Sequence, residues 1–190
     1  MGSHCIHGEG ATFVLQVSEQ RLSGDRGEAM TDEYRNRTEV RIERIFEASA
    51  ARVFHAWTTP EEMSRWMWAS LGRDVWAEAD LRVGGAYRVY SRAAGGKHQG
   101  DGWSGMCGIY VEIVPDCKLV YSQHWDADVG YNQEGMLALD EVISVTMTPV
   151  GDATRVEFVQ LGIPDDRQSA AAHEMGVSES FDMLDQLLAG

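Results

Sequence analysis

The stretch Arg82-Val83-Gly84-Gly85-Ala86-Tyr87-Arg88-Val89-Tyr90 joins a glycine pair to an alternating run of apolar and polar residues. Paired glycines favour a sharp turn or a bulge, because a residue without Cβ tolerates backbone angles that other residues avoid. The alternation after the pair is typical of a strand with one buried face. The stretch therefore predicts a bend that leads into a strand, with Tyr87 and Val89 on its inner face.

The rest of the chain extends this strand in both directions. Upstream, the spacing of apolar residues predicts one strand over 38–46 and two short helices over 50–57 and 60–68. Further strands are predicted where the same alternation recurs, over 74–81, from the glycine pair to 92, and over 104–114, 118–125, 137–148 and 153–161. A long last helix is predicted over 167–188. Residues 1–37 are predicted to be a flexible, partly tag-like extension, and 38–190 a single domain.

Composition excludes several classes of partner. The 190 residues carry a formal net charge of −14, which argues against nucleic acid, whose phosphates require clusters of Lys and Arg. The same charge disfavours adsorption to anionic membranes, and the sequence holds no run of eighteen apolar residues that could span a bilayer. With no apolar core like that of a signal peptide near the N-terminus, the expected location is the cytoplasm.

The order of elements predicts the architecture. Six consecutive strands with tight turns form an antiparallel meander, and such a sheet has one face that must be covered. The last helix has an apolar stripe that must also be buried. We therefore expect an α+β fold of about seven strands, in which a curved antiparallel sheet surrounds the C-terminal helix and the two short helices close one end.

Several short motifs, each weak alone, occur in an order that resembles a known family. They include Ala50-Arg52-Val53-Phe54-Ala56-Trp57, Pro60-Glu61, Trp66, Arg82 to Tyr87, Gly108-Tyr110-Glu112-Ile113, Pro115 with Leu119-Val120, and Gly151 with Thr154-Arg155-Val156. Over residues 38–189 the chain resembles the SRPBCC superfamily, also called START-like or birch-pollen-allergen-like, and within it the branch related to the activator of Hsp90 ATPase. The family usually has a Gly-Trp pair in the last helix, whereas here Gly176 precedes Val177.

The resemblance implies a helix-grip fold with a hydrophobic cavity between the sheet and the C-terminal helix. The implied function is binding of a small apolar or aromatic molecule in that cavity. Two alternatives stay open: a cyclase- or hydrolase-type enzyme that uses the same cavity, and a chaperone-interacting protein. The branch also makes a homodimer plausible. No cofactor is expected, no metal site is predicted, and no HExxH, GxSxG or P-loop motif points to catalytic residues.

Strand parity predicts which polar residues face the cavity. On the sixth strand Glu141 shares its parity with Ile143 and Val145, and parity likewise turns Gln123 and Gln160 inward. A carboxylate in an apolar cavity must be hydrogen-bonded, paired or protonated, because burying a bare charge is costly. Glu141 would orient a ligand, or act as acid or base in an enzyme. It could instead lie near a cavity mouth in water, pair with an arginine, or sit at a bulge that reverses the parity.

The predicted ligand contacts share an inward parity or a position near a predicted opening of the cavity. They are Trp66, Trp68, Tyr87, Val89, Trp103, Tyr121, Gln123, Trp125, Glu141, Phe158, Gln160 and Phe181. A structural role is expected for Trp57. His173, at the start of the last helix, is expected to face one end of the cavity.

Overall fold

The computed structural model describes residues 37–67, 72–93, 103–127, 141–164 and 167–190, without some side chains at the ends of these segments. The described residues form three helices: α1 (Ala50–Thr58), α2 (Pro60–Trp66) and α3 (Arg167–Ala189). The strands are β1 (Arg37–Phe46), β2 (Gly72–Ala79), β3 (Ala86–Ala93), β4 (Trp103–Val114), β5 (Lys118–Ala127), β6 (Glu141–Val150) and β7 (Ala153–Pro164).

The strands form one sheet of seven in the order β1-β7-β6-β5-β4-β3-β2, with every pair antiparallel. Strands β2 to β7 follow as a meander, and β1 closes the other edge by pairing with β7. The predicted fold class is therefore confirmed: an α+β fold with two short helices after the first strand and a long C-terminal helix.

The glycine pair forms the turn between β2 and β3. Gly84 has a φ of +78°, the left-handed region that favours glycine. A Cβ on Gly85 would lie 2.0 Å from the Asp80 carbonyl oxygen, so no side chain fits there. The turn is also bonded to β4, since Gly84 N–H donates to Tyr110 O and Tyr110 N–H donates to Gly85 O. The pair thus fixes how three strands meet at the start of the aromatic run.

Helix α3 is held against the sheet by aromatic packing. The Phe181 ring is buried and lies edge-on to Phe46, Trp57 and Phe158, with centroid separations of 5.5, 5.7 and 5.8 Å. Each such pair contributes about 0.5–1.5 kcal/mol beyond its buried area. Because these partners come from β1, α1 and β7, one side chain joins the helix to three separate elements.

The ends of the elements differ from the prediction by one to three residues at most described ends. Strand β2 runs over Gly72–Ala79 rather than 74–81, and β7 extends to Pro164. Ser49 caps α1 by accepting from Arg52 N–H at 3.3 Å. Thr59 is the N-cap of α2 but makes no side-chain cap bond. Residues 1–36 and the predicted start of β6 at 137–140 lie outside the described residues.

Candidate functional site

The inner face of the sheet follows the predicted parity. On β6 burial alternates from Glu141 to Met147, and on β7 the inward residues Thr154 to Gln160 are all buried. On β5 the described inward side chains, from Leu119 to Gln123, are buried as well. Strand alternation therefore places a few polar side chains on the inner face, within an otherwise apolar interior.

Glu141 is the centre of a buried polar cluster. Its side chain is about 95% buried, with a relative exposure of 5%. Gln123 Nε2 donates to Glu141 Oε2 at 3.0 Å, and Gln160 Nε2 donates to the same oxygen at 2.6 Å. His173 Nε2 lies 3.2 Å from Glu141 Oε1. We call these four residues, Gln123, Glu141, Gln160 and His173, the polar cluster.

Neighbouring strands and the helix deliver the members of the polar cluster to one place. Gln123 on β5 is paired directly with Glu141, the first residue of β6. Gln160 on β7 is paired with Ile143, two residues further along β6, so it reaches Glu141 diagonally. His173 comes from the second turn of α3. Of the alternatives left open for Glu141, neither water at a mouth nor a parity-reversing bulge applies, and its described ionisable partner is a histidine.

The His173 ring bridges the helix and the sheet. Its Nδ1 is 2.7 Å from the Ser169 carbonyl oxygen, which can only accept, so Nδ1–H donates to it. This bond turns Nε2 towards Glu141 Oε1, which lies 3.2 Å away. The polar cluster thus joins α3 to β5, β6 and β7.

Next to the polar cluster, the interior is aromatic. Tyr87, Tyr110 and Tyr121 lie within 5.2–6.3 Å of one another, centroid to centroid. Trp57 Nε1–H donates to Tyr121 Oη at 3.3 Å, and Tyr87 Oη–H donates to Ser122 O at 3.0 Å. We call Trp57 and the three tyrosines the aromatic end.

The aromatic end is packed rather than hollow. The void between these four residues and Met63 and Met67 has a volume of about 10 Å³, which is room for about one water molecule. Burial raises the pKa of Tyr110 to about 12. Burial, with a smaller effect of neighbouring tyrosines, also raises the pKa of Tyr87, and burial raises that of Tyr121 against the opposing bond from Trp57. These phenols are therefore neutral core groups at physiological pH.

The predicted contact residues fall into four groups. Gln123, Glu141 and Gln160 come together in the polar cluster, and Tyr87 and Tyr121 belong to the aromatic end. Val89, Phe158, Phe181 and Trp66 are buried core residues; Trp66 stacks edge-on with Trp57 and donates from Nε1 to Ala56 O at 2.9 Å. Trp68 and the side chains of Trp103 and Trp125 lie outside the described part of the chain. Contact with a ligand stays a prediction for all twelve.

Two members of the interior were not among the predicted contacts. His173 was expected only to face a cavity end, and its bond to Glu141 needs the tertiary position of α3. Tyr110 could have been found from parity with Met106, since both are buried on β4. That parity holds only as far as the register shift between Tyr110 and Glu112, beyond which Ile113 packs against the core.

The described part of the chain offers neither a metal site nor a membrane-spanning helix. Among the described residues, no group of three or more His, Cys, Asp or Glu side chains is placed to bind a metal ion. Within the same part of the chain, no helix is both long and apolar enough to span a membrane.

A seven-stranded sheet wrapped around a C-terminal helix, with two short helices after the first strand, defines the protein as an SRPBCC-type helix-grip domain. The family model described as "Activator of Hsp90 ATPase homolog 1-like protein" matches residues 47–189, and the chain belongs to this family. The predicted resemblance is thereby confirmed. The curated proteins contain no match to the chain.

Solved structures share the fold. A protein from Chromobacterium violaceum is 24% identical, with a TM-score of 0.63 over 80% of this chain and 97% of its own. The Mll3558 protein from Rhizobium loti is 27% identical, with a TM-score of 0.61 over 79% and 96% of the two chains. These likenesses concern the whole domain and therefore support the fold from β1 to α3.

Proposed function

We propose that this protein binds a small molecule with an apolar or aromatic body between the sheet and α3, next to the polar cluster. The observation that supports this most is the polar cluster itself. A carboxyl side chain with three polar partners, buried in an apolar concave surface, matches the few convergent polar groups that orient ligands in apolar pockets.

The packing of the interior indicates where such a ligand would lie. The aromatic end has room for only about one water molecule, so a ligand could enter it only by displacing side chains. The polar cluster lies where β6 begins, with Glu141, and near the start of α3, six residues before His173. We therefore expect the ligand beside the polar cluster.

Val177 offers a direct test of this position. It lies one helical turn after His173 and one before Phe181, and it packs against the core. A tryptophan at this position would fill the space between α3 and the sheet next to the polar cluster. Met175 lies on the exposed side of the same helix, with 61% exposure, so the same substitution there adds an equal ring outside the interior.

The experiment is a titration with N-phenylnaphthylamine, a neutral aromatic probe whose fluorescence rises in apolar surroundings. The unaltered protein should bind the probe saturably, Met175→Trp should bind it equally well, and Val177→Trp should bind it at least about tenfold more weakly, since even one excess methylene is poorly accommodated in a packed core. Val177→Phe covers the case in which the tryptophan variant does not fold. Absence of saturable binding, or equal binding by the two tryptophan variants, would overturn the proposal.

A second candidate function is acid–base catalysis on the bound molecule, of the cyclase or hydrolase type. The 3.2 Å contact between His173 Nε2 and Glu141 Oε1 favours it, because a histidine and a carboxyl group at hydrogen-bond distance can give or take a proton within a site. On any substrate that the protein converts, Glu141→Gln should lower the turnover rate by about a hundredfold or more. An unchanged rate would remove Glu141 from the chemistry.

The family's description adds a third candidate, a chaperone as partner. It rests on the family match alone, and the net charge of −14 would then favour a basic face on the partner. Pull-down with an Hsp90 chaperone at low and high salt is the corresponding test. Binding that weakens as salt rises would support this function, whereas no binding at low salt would count against it.

A further inference from the structure

The carbonyl oxygens of Gln123 and Gln160 are the starting point. Both side chains are deeply buried, with exposures of 5% and 2%. Their Nε2 groups donate to Glu141, and within the described structure no hydrogen bond reaches either Oε1. Buried amide oxygens normally have a donor, and each without one is destabilising. Two such acceptors from strands on either side of β6 therefore need an explanation.

Their environment restricts the explanation. No described side-chain N or O atom is both fully enclosed and without a partner. The two carbonyl oxygens therefore keep some surface within reach of a water-sized molecule, even though both side chains are almost wholly buried. This separates them from the Tyr121 and Trp57 groups at the aromatic end, which satisfy one another.

Glu141 determines which side of each amide is presented. Both glutamines donate from Nε2 to the same oxygen, Glu141 Oε2, so each amide turns its Oε1 away from that oxygen. Without Glu141, either amide could rotate about its last bond and present N–H in place of the carbonyl oxygen. The carboxylate thus acts as a positioning residue for two acceptors, in addition to its bond with His173.

We infer that Gln123 and Gln160 form an acceptor pair that selects ligands carrying a hydroxyl or N–H donor on an apolar or aromatic body, and that Glu141 sets this selectivity by orienting both amides. The inference rests on the proposed function and names the chemical class of its ligand. Anions and molecules with acceptors alone are disfavoured, because they would meet two carbonyl oxygens beside a carboxylate.

Two probes with the same aromatic body separate this inference from simple apolar binding. Naphthol carries a hydroxyl donor, and its methyl ether, methoxynaphthalene, has an acceptor of similar shape and greater hydrophobicity. The unaltered protein should bind naphthol about three- to tenfold more tightly, the range expected for one neutral hydrogen bond. A purely apolar site would prefer the ether.

The variant Glu141→Leu then tests the role of the carboxylate. Leucine has no acceptor for the two Nε2 groups, so both amides are free to rotate, and the ratio of the two affinities should fall towards one. Loss of stability alone would lower both affinities and leave their ratio unchanged. Val177→Trp, which narrows the space without touching the amides, is the matched control and should weaken both probes by a similar factor.

The outcomes are distinct. Tighter binding of naphthol in the unaltered protein with a lowered ratio in Glu141→Leu supports the acceptor pair. Equal binding of the two probes, preference for the ether, or an unchanged ratio in Glu141→Leu overturns it while the binding function stands. If neither probe binds, the proposed function fails and the inference fails with it.

Discussion

Replacing Glu141 with alanine removes the centre of the polar cluster, and its effect can be worked out from the contacts. The carboxylate holds two amide donors and the His173 ring. Removal of one partner from a buried pair typically destabilises by about 3–5 kcal/mol, because the group left behind is buried and unpaired. Gln123 and Gln160 can find new partners by rotating, so we expect a loss near the lower end, about 3 kcal/mol.

Urea unfolding followed by tryptophan fluorescence measures this loss, since Trp57 and Trp66 are both buried. For a chain of this length, 3 kcal/mol corresponds to a fall in melting temperature of roughly 6–12 °C. Glu43→Ala is a matched control, because Glu43 is exposed on β1 and is paired across the strands with another glutamate, Glu157. That substitution should change the free energy of unfolding by less than about 0.5 kcal/mol.

Two results would contradict the expected contribution of the polar cluster to stability. If Glu141→Ala and Glu43→Ala destabilise equally, the hydrogen bonds of the polar cluster contribute nothing measurable, and the carboxylate is not buried among them. If Glu141→Ala is instead more stable than the unaltered protein, the Glu141 side chain destabilises the folded state.

Three further predictions follow from local structure. Burial raises the pKa of Tyr110 from 10 to about 12, so the phenol ionises at lower pH in the unfolded protein than in the folded one. The contribution of Tyr110 to stability is therefore complete below pH 10 and is lost as the pH approaches 12. Urea midpoints across this range should fall less for Tyr110→Phe than for the unaltered protein, and an identical fall would contradict this prediction. Gly85→Ala should destabilise by more than Gly84→Ala in the same assay, since its Cβ would meet the Asp80 carbonyl oxygen at 2.0 Å whereas Gly84 has open space and only an unfavourable φ. Gly176→Ala should raise stability by up to about 1 kcal/mol, because nothing lies near its Cβ and alanine favours the helix; a loss would show that the position is crowded.

The inner face of the sheet could be predicted from sequence because alternation along a strand is local. Once Ile143 and Val145 face the core, the two-residue period turns Glu141 inward without any knowledge of the rest of the fold. The same two-residue period predicts that Gln123 and Gln160 face inward. Strand β4 shows the limit, since the register shift after Tyr110 changes which residues face inward, and no single parity describes the whole strand.

The contact between His173 and Glu141 could not be predicted in the same way. It joins residues 32 positions apart, and it depends on where the N-terminal half of α3 rests on the sheet. That position is fixed by Phe181 between Phe46, Trp57 and Phe158, a packing arrangement that the helical period alone does not specify. Periodicity therefore predicts which face of each element is buried, and tertiary packing decides which buried groups meet.

The two groups of the interior have different physical roles. The aromatic end and the Phe181 contacts bury large apolar rings, and they supply stability for the whole domain. An interior of apolar residues alone would have been at least as stable as one that buries a carboxyl group with its polar partners. We therefore expect the polar cluster to serve ligand specificity, as the proposed acceptor pair of Gln123 and Gln160 requires.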